Sequence, residues 1–148
     1  MEPPSERDDA GRRPLTENER DELLDQPLPG VWSTLTRRGR IHSVPVHFVR
    51  RNSELRVLTG RDSVKSRNAR ASGRATLCVE MTLDGTDRRF VTAEGPVRVE
   101  QPVLLEDVFA LAERYGGHYA AYPNLDSYHE AVILVLDAER WIAWSDAD

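Results

Sequence analysis

Four residues able to hold an anion fall within seven positions of Thr59-Gly60-Arg61-Asp62-Ser63-Val64-Lys65-Ser66-Arg67-Asn68, namely Arg61, Ser63, Lys65 and Arg67. The segment leaves a run with strand periodicity and opens a helical one, with Ser63 placed as the N-cap. A helix start presents N–H groups without intrahelical acceptors and a partial positive charge, so it is prepared for a negative group. A hydroxyl and two or three cations added to that start make a phosphate cradle. It is not a P-loop, because the glycine spacing and the Gly-Lys-Ser/Thr ending are both absent. Charges in a first helical turn equally suit a plain solvated face. The segment alone leaves both readings open.

Other chemistry-bearing residues form no comparable constellation. His42 and His47 lie five apart on an expected strand and so face opposite sides, which spoils them as a metal pair. His118 and His129 lack partners at ligand spacing, and no metal is expected. Tyr115, Tyr119 and Tyr122 follow i, i+4, i+7, a stripe that suits core packing more often than a ring-shaped ligand. Trp141 and Trp144 either close one side of a cleft or simply pack. Cys78 alternates with Leu77 and Val79 and reads as a quiet thiol. As the only cysteine it excludes an internal disulfide and a cysteine-built zinc site. No Ser/His/Asp triad can be assembled, and no catalytic residue is singled out.

The elements that must position the cradle come from a chain of 148 residues with 25 acidic and 20 basic side chains, net −5. One domain is expected. The acidic balance argues against nucleic acid as the main partner. No apolar run approaches the ~20 residues of a membrane helix and no signal-peptide pattern opens the chain, so a soluble cytoplasmic protein without a membrane partner is expected. Nineteen basic residues are arginine, as GC-rich coding favours, and Lys65 is the one lysine.

Residues 1–14 carry proline and charge without apolar periodicity and read as a flexible tail ahead of one domain over 15–148. Thr16 and Glu19 have capping-box spacing, which predicts a short helix to about Asp25. From Val31 the period becomes two. Strands are expected over 31–37 and 41–50, the second carrying Val44, Val46 and Phe48 on one face, and then over 54–59. Pro45 marks an edge or a bulge in the second. A helix over 64–71 follows Ser63, then a strand over 74–81, an Asp84-Gly85 hairpin turn and a strand over 88–100 with a bulge at Gly95-Pro96. An amphipathic helix over 104–115, a short helix within 119–128, a buried strand over 130–136 and a closing segment over 138–144 complete the chain. The fold class is therefore mainly β: a six-stranded antiparallel barrel, closed or nearly closed, with a few helices.

Several of these pieces resemble one family. Gly30-Val31-Trp32-Ser33-Thr34-Leu35 followed by Gly39-Arg40-Ile41-His42-Ser43-Val44-Pro45-Val46-His47-Phe48 resembles the first hairpin of the pyridoxamine 5′-phosphate oxidase-like, flavin-binding split-barrel superfamily. Thr59 to Asn68 is similar to its phosphate-binding turn, a Ser-x-Lys-x-Arg-Asn pattern present here from Ser63 to Asn68. Arg74 to Val79 resembles the following strand, and Val91-Thr92-Ala93-Glu94-Gly95-Pro96-Val97 the strand that crosses the barrel. The likeness covers about residues 23–100 well and the remainder only in its helix-then-strand outline.

The resemblance implies a split-barrel homodimer with cofactor sites in clefts between subunits, binding FMN or the deazaflavin F420. It implies that Ser63, Lys65 and Arg61 contact the phosphate, with Arg67 and Asn68 supporting the turn. Val44, Pro45, Val46 and His47 would lie along the ring, Thr59 and Gly60 at its edge, and His42 would face the cleft. The chain departs from true pyridoxamine-phosphate oxidases in lacking their C-terminal Arg-x-His motif, which argues against vitamin B6 chemistry. Its Pro45-Val46 and Lys65-Ser66-Arg67-Asn68 look nearer to the F420-associated branch. Arginines 37, 38, 40, 50 and 51 would meet that cofactor's acidic tail or simply solvate the surface. The expected activity is hydride transfer from reduced F420 to a small unsaturated or conjugated molecule. The alternatives are an FMN-dependent oxidoreductase of the same fold and a non-catalytic flavin- or haem-binding module.

Overall fold

In the computed structural model, which describes residues 11–116 and 129–147, the first strand among the described residues lies inside the expected tail. Arg13–Pro14 (β1) pairs antiparallel with Arg140–Ser145 (β9), matching Arg13 to Ser145 and Pro14 to Trp144. Helix α1 (Glu17–Leu24) opens on the expected capping box. Thr16 Oγ1 accepts the Glu19 N–H at 3.1 Å, and Glu19 accepts the Thr16 N–H at 3.0 Å. Glu19 also accepts from Nη1 and Nη2 of Arg13, at 2.9 and 3.0 Å, and lies 3.1 Å from Arg89. Leu23 and Leu24 are buried beneath the helix.

The remaining strands are β2 (Gly30–Leu35), β3 (Ile41–Val46), β4 (Val49–Arg51), β5 (Glu54–Gly60), β6 (Arg74–Leu83), β7 (Asp87–Glu100) and β8 (Ala131–Asp137). Helix α2 (Val64–Ser72) links β5 to β6, and α3 (Leu105–Tyr115) follows β7. The antiparallel path runs β3-β2-β6-β7-β8-β5-β4, with β9 laid against β7 and β1 against β9. The mainly β split-barrel class holds, with two corrections. The described residues form nine strands rather than six, and the sheet does not close, because β3 and β4 end the path without pairing.

Two further expectations change in detail. Residues 41–50 are not one strand: β3 stops at Val46 and β4 starts at Val49. At the break, Tyr115 Oη accepts the Phe48 N–H at 3.2 Å and lies 3.0 Å from Phe48 O, so a side chain takes the place of ladder bonds. Gly95-Pro96 makes no bulge, since the register with β6 is unbroken from Leu83↔Asp87 to Arg74↔Pro96. Instead β7 changes partner there, and from Val97 it pairs with β8. A Cβ on Gly95 would lie 2.0 Å from Asp137 O, a close approach that only glycine permits. Asp84 and Gly85 both have positive φ, as a tight hairpin turn requires.

Trp32, Phe48, Leu55, Leu77, Val91, Leu134 and Leu136 form the main core. Strand β8 is buried on both faces from Val132 to Leu136, because Ile133 and Val135 pack against Val103 and Val108 of the α3 side. That explains its unbroken apolar run. Arg56 pins the same helix: its Nε lies 2.9 Å from buried Asp107, and its Nη atoms reach Glu54 and Glu100. None of the described helices is long and apolar enough to cross a membrane. The short helix expected within 119–128 lies outside the described residues.

The Glu19 cluster yields a pH-dependent stability. Its hydrogen bonds with Arg13, against a smaller opposing effect of burial, hold the carboxyl down at about 2. A depressed carboxylate stabilises the fold above its unfolded value and loses that contribution as pH falls through the folded value. Glu19→Gln preserves the capping geometry and removes the charge. It should cost about 1 kcal/mol near neutrality, allowing for solvent screening. Thermal melts of both proteins should converge as pH drops from 4.5 towards about 2; a gap independent of pH would refute the ionic origin.

Candidate functional site

Helix α2 begins on a chain of hydroxyls. Ser63 Oγ accepts the Ser66 N–H at 3.2 Å and the Thr59 hydroxyl at 3.1 Å, and donates to Ser66 Oγ at 3.2 Å. Ser66 Oγ in turn donates to Gly60 O at 2.7 Å. The backbone between is equally fixed: Ser63 N–H donates to Gly60 O, Arg61 N–H to Glu130 O, and Arg70 to Arg61 O. The Ser63 hydroxyl is thus saturated by the chain, its one proton and both lone pairs engaged. Its work here is to shape the helix start. Asn68 is buried and donates to Thr34 Oγ1 at 3.0 Å, tying α2 to β2. Arg61 and Arg67 are exposed. Lys65 is half-buried, and among the described residues it makes no ion pair.

Lys65 opens on a pocket of about 310 Å³ lined by Pro29, Pro45, Val46, His47, Val57, Leu58 and Lys65. Of the twelve residues named from the sequence, this pocket gathers Pro45, Val46, His47 and Lys65. Thr59, Gly60, Ser63 and Asn68 stand behind it as the frame of α2, and Arg61 and Arg67 on its outer surface. His42 and Val44 lie on the same strand without lining the pocket. His42 Nδ1 is buried and has no hydrogen-bond partner among the described residues. Pro29, just ahead of β2, and Val57 and Leu58 of β5 carry no motif, and only the fold brings them to the pocket.

Strand β3 is the sheet edge expected from Pro45. The turn bond from Thr36 N–H to Arg40 O sets the alternation, so that 34↔42, 32↔44 and 30↔46 are the hydrogen-bonded pairs. Pro45 therefore lies in a pair without ladder bonds, and its missing N–H points away from β2. The proline costs the ladder nothing. Beyond it, the His47 and Tyr115 rings stack at 4.1 Å and 9°. Tyr115 Oη lies 2.8 Å from Leu28 O as well as bonding Phe48. The expectation for Tyr115 is thereby split: it packs, and it packs against a pocket residue. Tyr119 and Tyr122 lie outside the described residues.

Two of the five hairpin and strand arginines are already engaged. Arg50 pairs with Asp25 at 2.7 Å and Arg51 with Glu106 and Asp107. Arg37, Arg38 and Arg40 are exposed at the β2–β3 turn, with no ion pair among the described residues. The donor set suits a flat ring carrying an anionic group: apolar walls, an imidazole on one side, and an ammonium with helix-start N–H groups at one end.

The fold is an open split barrel with an apolar pocket at an edge strand and a cationic helix start beside it. The chain belongs to the pyridoxamine 5′-phosphate oxidase family, whose model matches residues 16–145. Among solved structures, the conserved hypothetical protein Rv2991 from Mycobacterium tuberculosis is 23% identical with a TM-score of 0.76, covering 88% of this chain and 84% of that one. An F420 reductase is 22% identical with a TM-score of 0.71, covering 82% and 94%. The haem storage protein HutZ from Vibrio cholerae is 15% identical with a TM-score of 0.69, covering 86% and 94%. No curated protein matches the chain.

The buried Asn68–Thr34 bond separates scaffold from ligand contact. Asn68→Ala leaves Thr34 without its buried partner and should cost about 1–3 kcal/mol of stability. Chemical denaturation checks this, and an unchanged midpoint would show that the bond does not hold α2 in place.

Proposed function

We propose that the protein is an oxidoreductase that uses F420, transferring a hydride from its reduced form to a small unsaturated or conjugated substrate, and that it works as a homodimer. The observation that carries the cofactor reading is Lys65. It is the chain's single lysine, it lies at the start of α2, and no carboxylate among the described residues neutralises it. A phosphate seated there would meet the ammonium and the leading α2 N–H groups together. The ring would lie along Pro45, Val46 and His47. The bound cofactor supplies the redox chemistry, while the protein supplies position and a dry wall. The three arginines at the β2–β3 turn, without an ion pair among the described residues, favour F420, with its longer acidic tail, over FMN.

Dimerisation is supported by an exposed apolar sheet face. Val31, Leu35, Ile41 and Ile142 are 46%, 49%, 76% and 37% exposed. The registers Val31↔Cys78, Cys78↔Thr92 and Thr92↔Ile142 place them on one side of the sheet. Val31 is also opposite Pro45, so the face runs up to the rim of the pocket. A second copy seated there would cover apolar area that isolated proteins seldom leave open and would close the pocket's outer side.

Titration with F420 and FMN side by side tests the cofactor assignment. Lys65→Ala should weaken binding by about 1.5–3 kcal/mol, roughly a tenfold to 150-fold rise in Kd; an unchanged Kd would sink the cradle. Cofactor binding with no turnover under any reductant would instead support a storage or sensing module. For the dimer, Ile41→Asp should shift the mass measured by light scattering from two chains to one. A wild-type protein already monomeric at micromolar concentration would contradict it.

A further inference from the structure

We propose that His47 is the acid that protonates the substrate during reduction, with Tyr115 as its positioning residue. This rests on the oxidoreductase reading above. Among the described pocket-lining residues only His47 and Lys65 carry a proton on nitrogen or oxygen in their side chains, and Lys65 would serve the anion. An imidazole gives up and regains a proton near neutrality.

The geometry around His47 is that of a held group. It sits in the two-residue gap between β3 and β4, so no strand ladder fixes it. The Tyr115 ring packs on it, parallel at 9° and 4.1 Å away. Tyr115 is itself anchored through its hydroxyl to Phe48, the residue after His47, and to Leu28, the residue before pocket-lining Pro29. One phenol thus ties α3 to both chain segments that border the pocket mouth. A histidine used only for packing would be buried, whereas His47 is exposed and lines the pocket. Among the described residues, the Tyr115 ring of α3 stacks on it and Lys65 of α2 lines the same pocket. The Arg114 guanidinium stands 5.3 Å from the Tyr115 ring centre and 4.7 Å from that of Phe48.

The step balances as follows. A conjugated alkene gains a hydride at one carbon from the reduced deazaflavin, which leaves oxidised. The alkene π pair moves to the neighbouring carbon and forms a C–H bond with the proton of His47, whose N–H bond breaks. The neutral imidazole is then reprotonated by water.

His47→Gln provides the test, with cyclohex-2-enone as the substrate probe and NMR of the cofactor-free protein as an independent readout. In the wild type, the His47 ring resonance should titrate near neutrality and shift when oxidised F420 is added. At saturating F420, His47→Gln should reduce the enone about a hundredfold more slowly than wild type and lose the fall in rate that the wild type shows as pH rises. Tyr115→Phe keeps the stacked ring without its anchors and should lower the rate while keeping that pH dependence. A His47 resonance that stays neutral down to about pH 5, or a variant with unchanged rate and pH profile while binding F420, would overturn the assignment alone. A wild-type protein that binds neither F420 nor FMN would overturn the underlying reading and this step with it.

Discussion

The passage of β7 from one sheet to the other fixes where the pocket can form. Over residues 87–96 the strand pairs with β6, and from Val97 it pairs with β8. Backbone atoms crowd this crossing so closely that Asp137 O occupies the space a Cβ at Gly95 would need. The register imposed on β8 carries through to β5, whose last pair is Gly60↔Ala131. Arg61 then bonds Glu130 one residue beyond the ladder. At the other end of α2, Gly73 O accepts the Val97 N–H at 2.8 Å, beside the crossing itself. Both ends of α2 therefore refer back to one constraint, and Lys65 is placed by it.

What local chemistry encodes could be read before the fold was known. The Thr16/Glu19 box, the Ser63 cap, the left-handed Gly73 and the Asp84-Gly85 turn each depend on residues within four positions of one another. Features set by distant partners could not. Strands β1 and β4, at two and three residues, are too short to show a period, and exist because β9 and β5 lie alongside. The alternation of Val44, Val46 and Phe48 continues through the break at His47, because the cause of the break is a phenol 67 residues away. Gly95 looked like a bulge since a glycine's own neighbours do not reveal which backbone approaches it.

The candidate site divides along the same line. The Ser63–Asn68 motif is one piece of sequence but does two jobs. Ser63, Ser66 and Asn68 spend their polar groups on the frame, and Lys65 alone among them opens on the pocket. A motif shared across a family mixes both kinds of residue, and only the hydrogen-bond partners tell them apart. Pro29, Val57 and Leu58 lack any pattern because a pocket wall needs only apolar bulk in the right place.

The contrast between the arginines and the lone lysine follows from how each charge is compensated. Arg56 is 4% exposed. Burial works against its charge, yet hydrogen bonds with Asp107 and Glu100 outweigh that effect and hold its proton more tightly. Its forked geometry lets one side chain satisfy three carboxylates on three elements, a task to which a lysine's single nitrogen is less suited. Arg13, Arg50 and Arg98 are likewise charge-balanced within the chain. Lys65 is the reverse case: a compact charge, half-buried beside apolar walls, with no described carboxylate in reach. A half-buried cation without an internal counter-ion is weakly stabilised in the empty protein. Binding an anion there removes that deficit, and the affinity gained is greatest where the fold itself supplies no competing carboxylate.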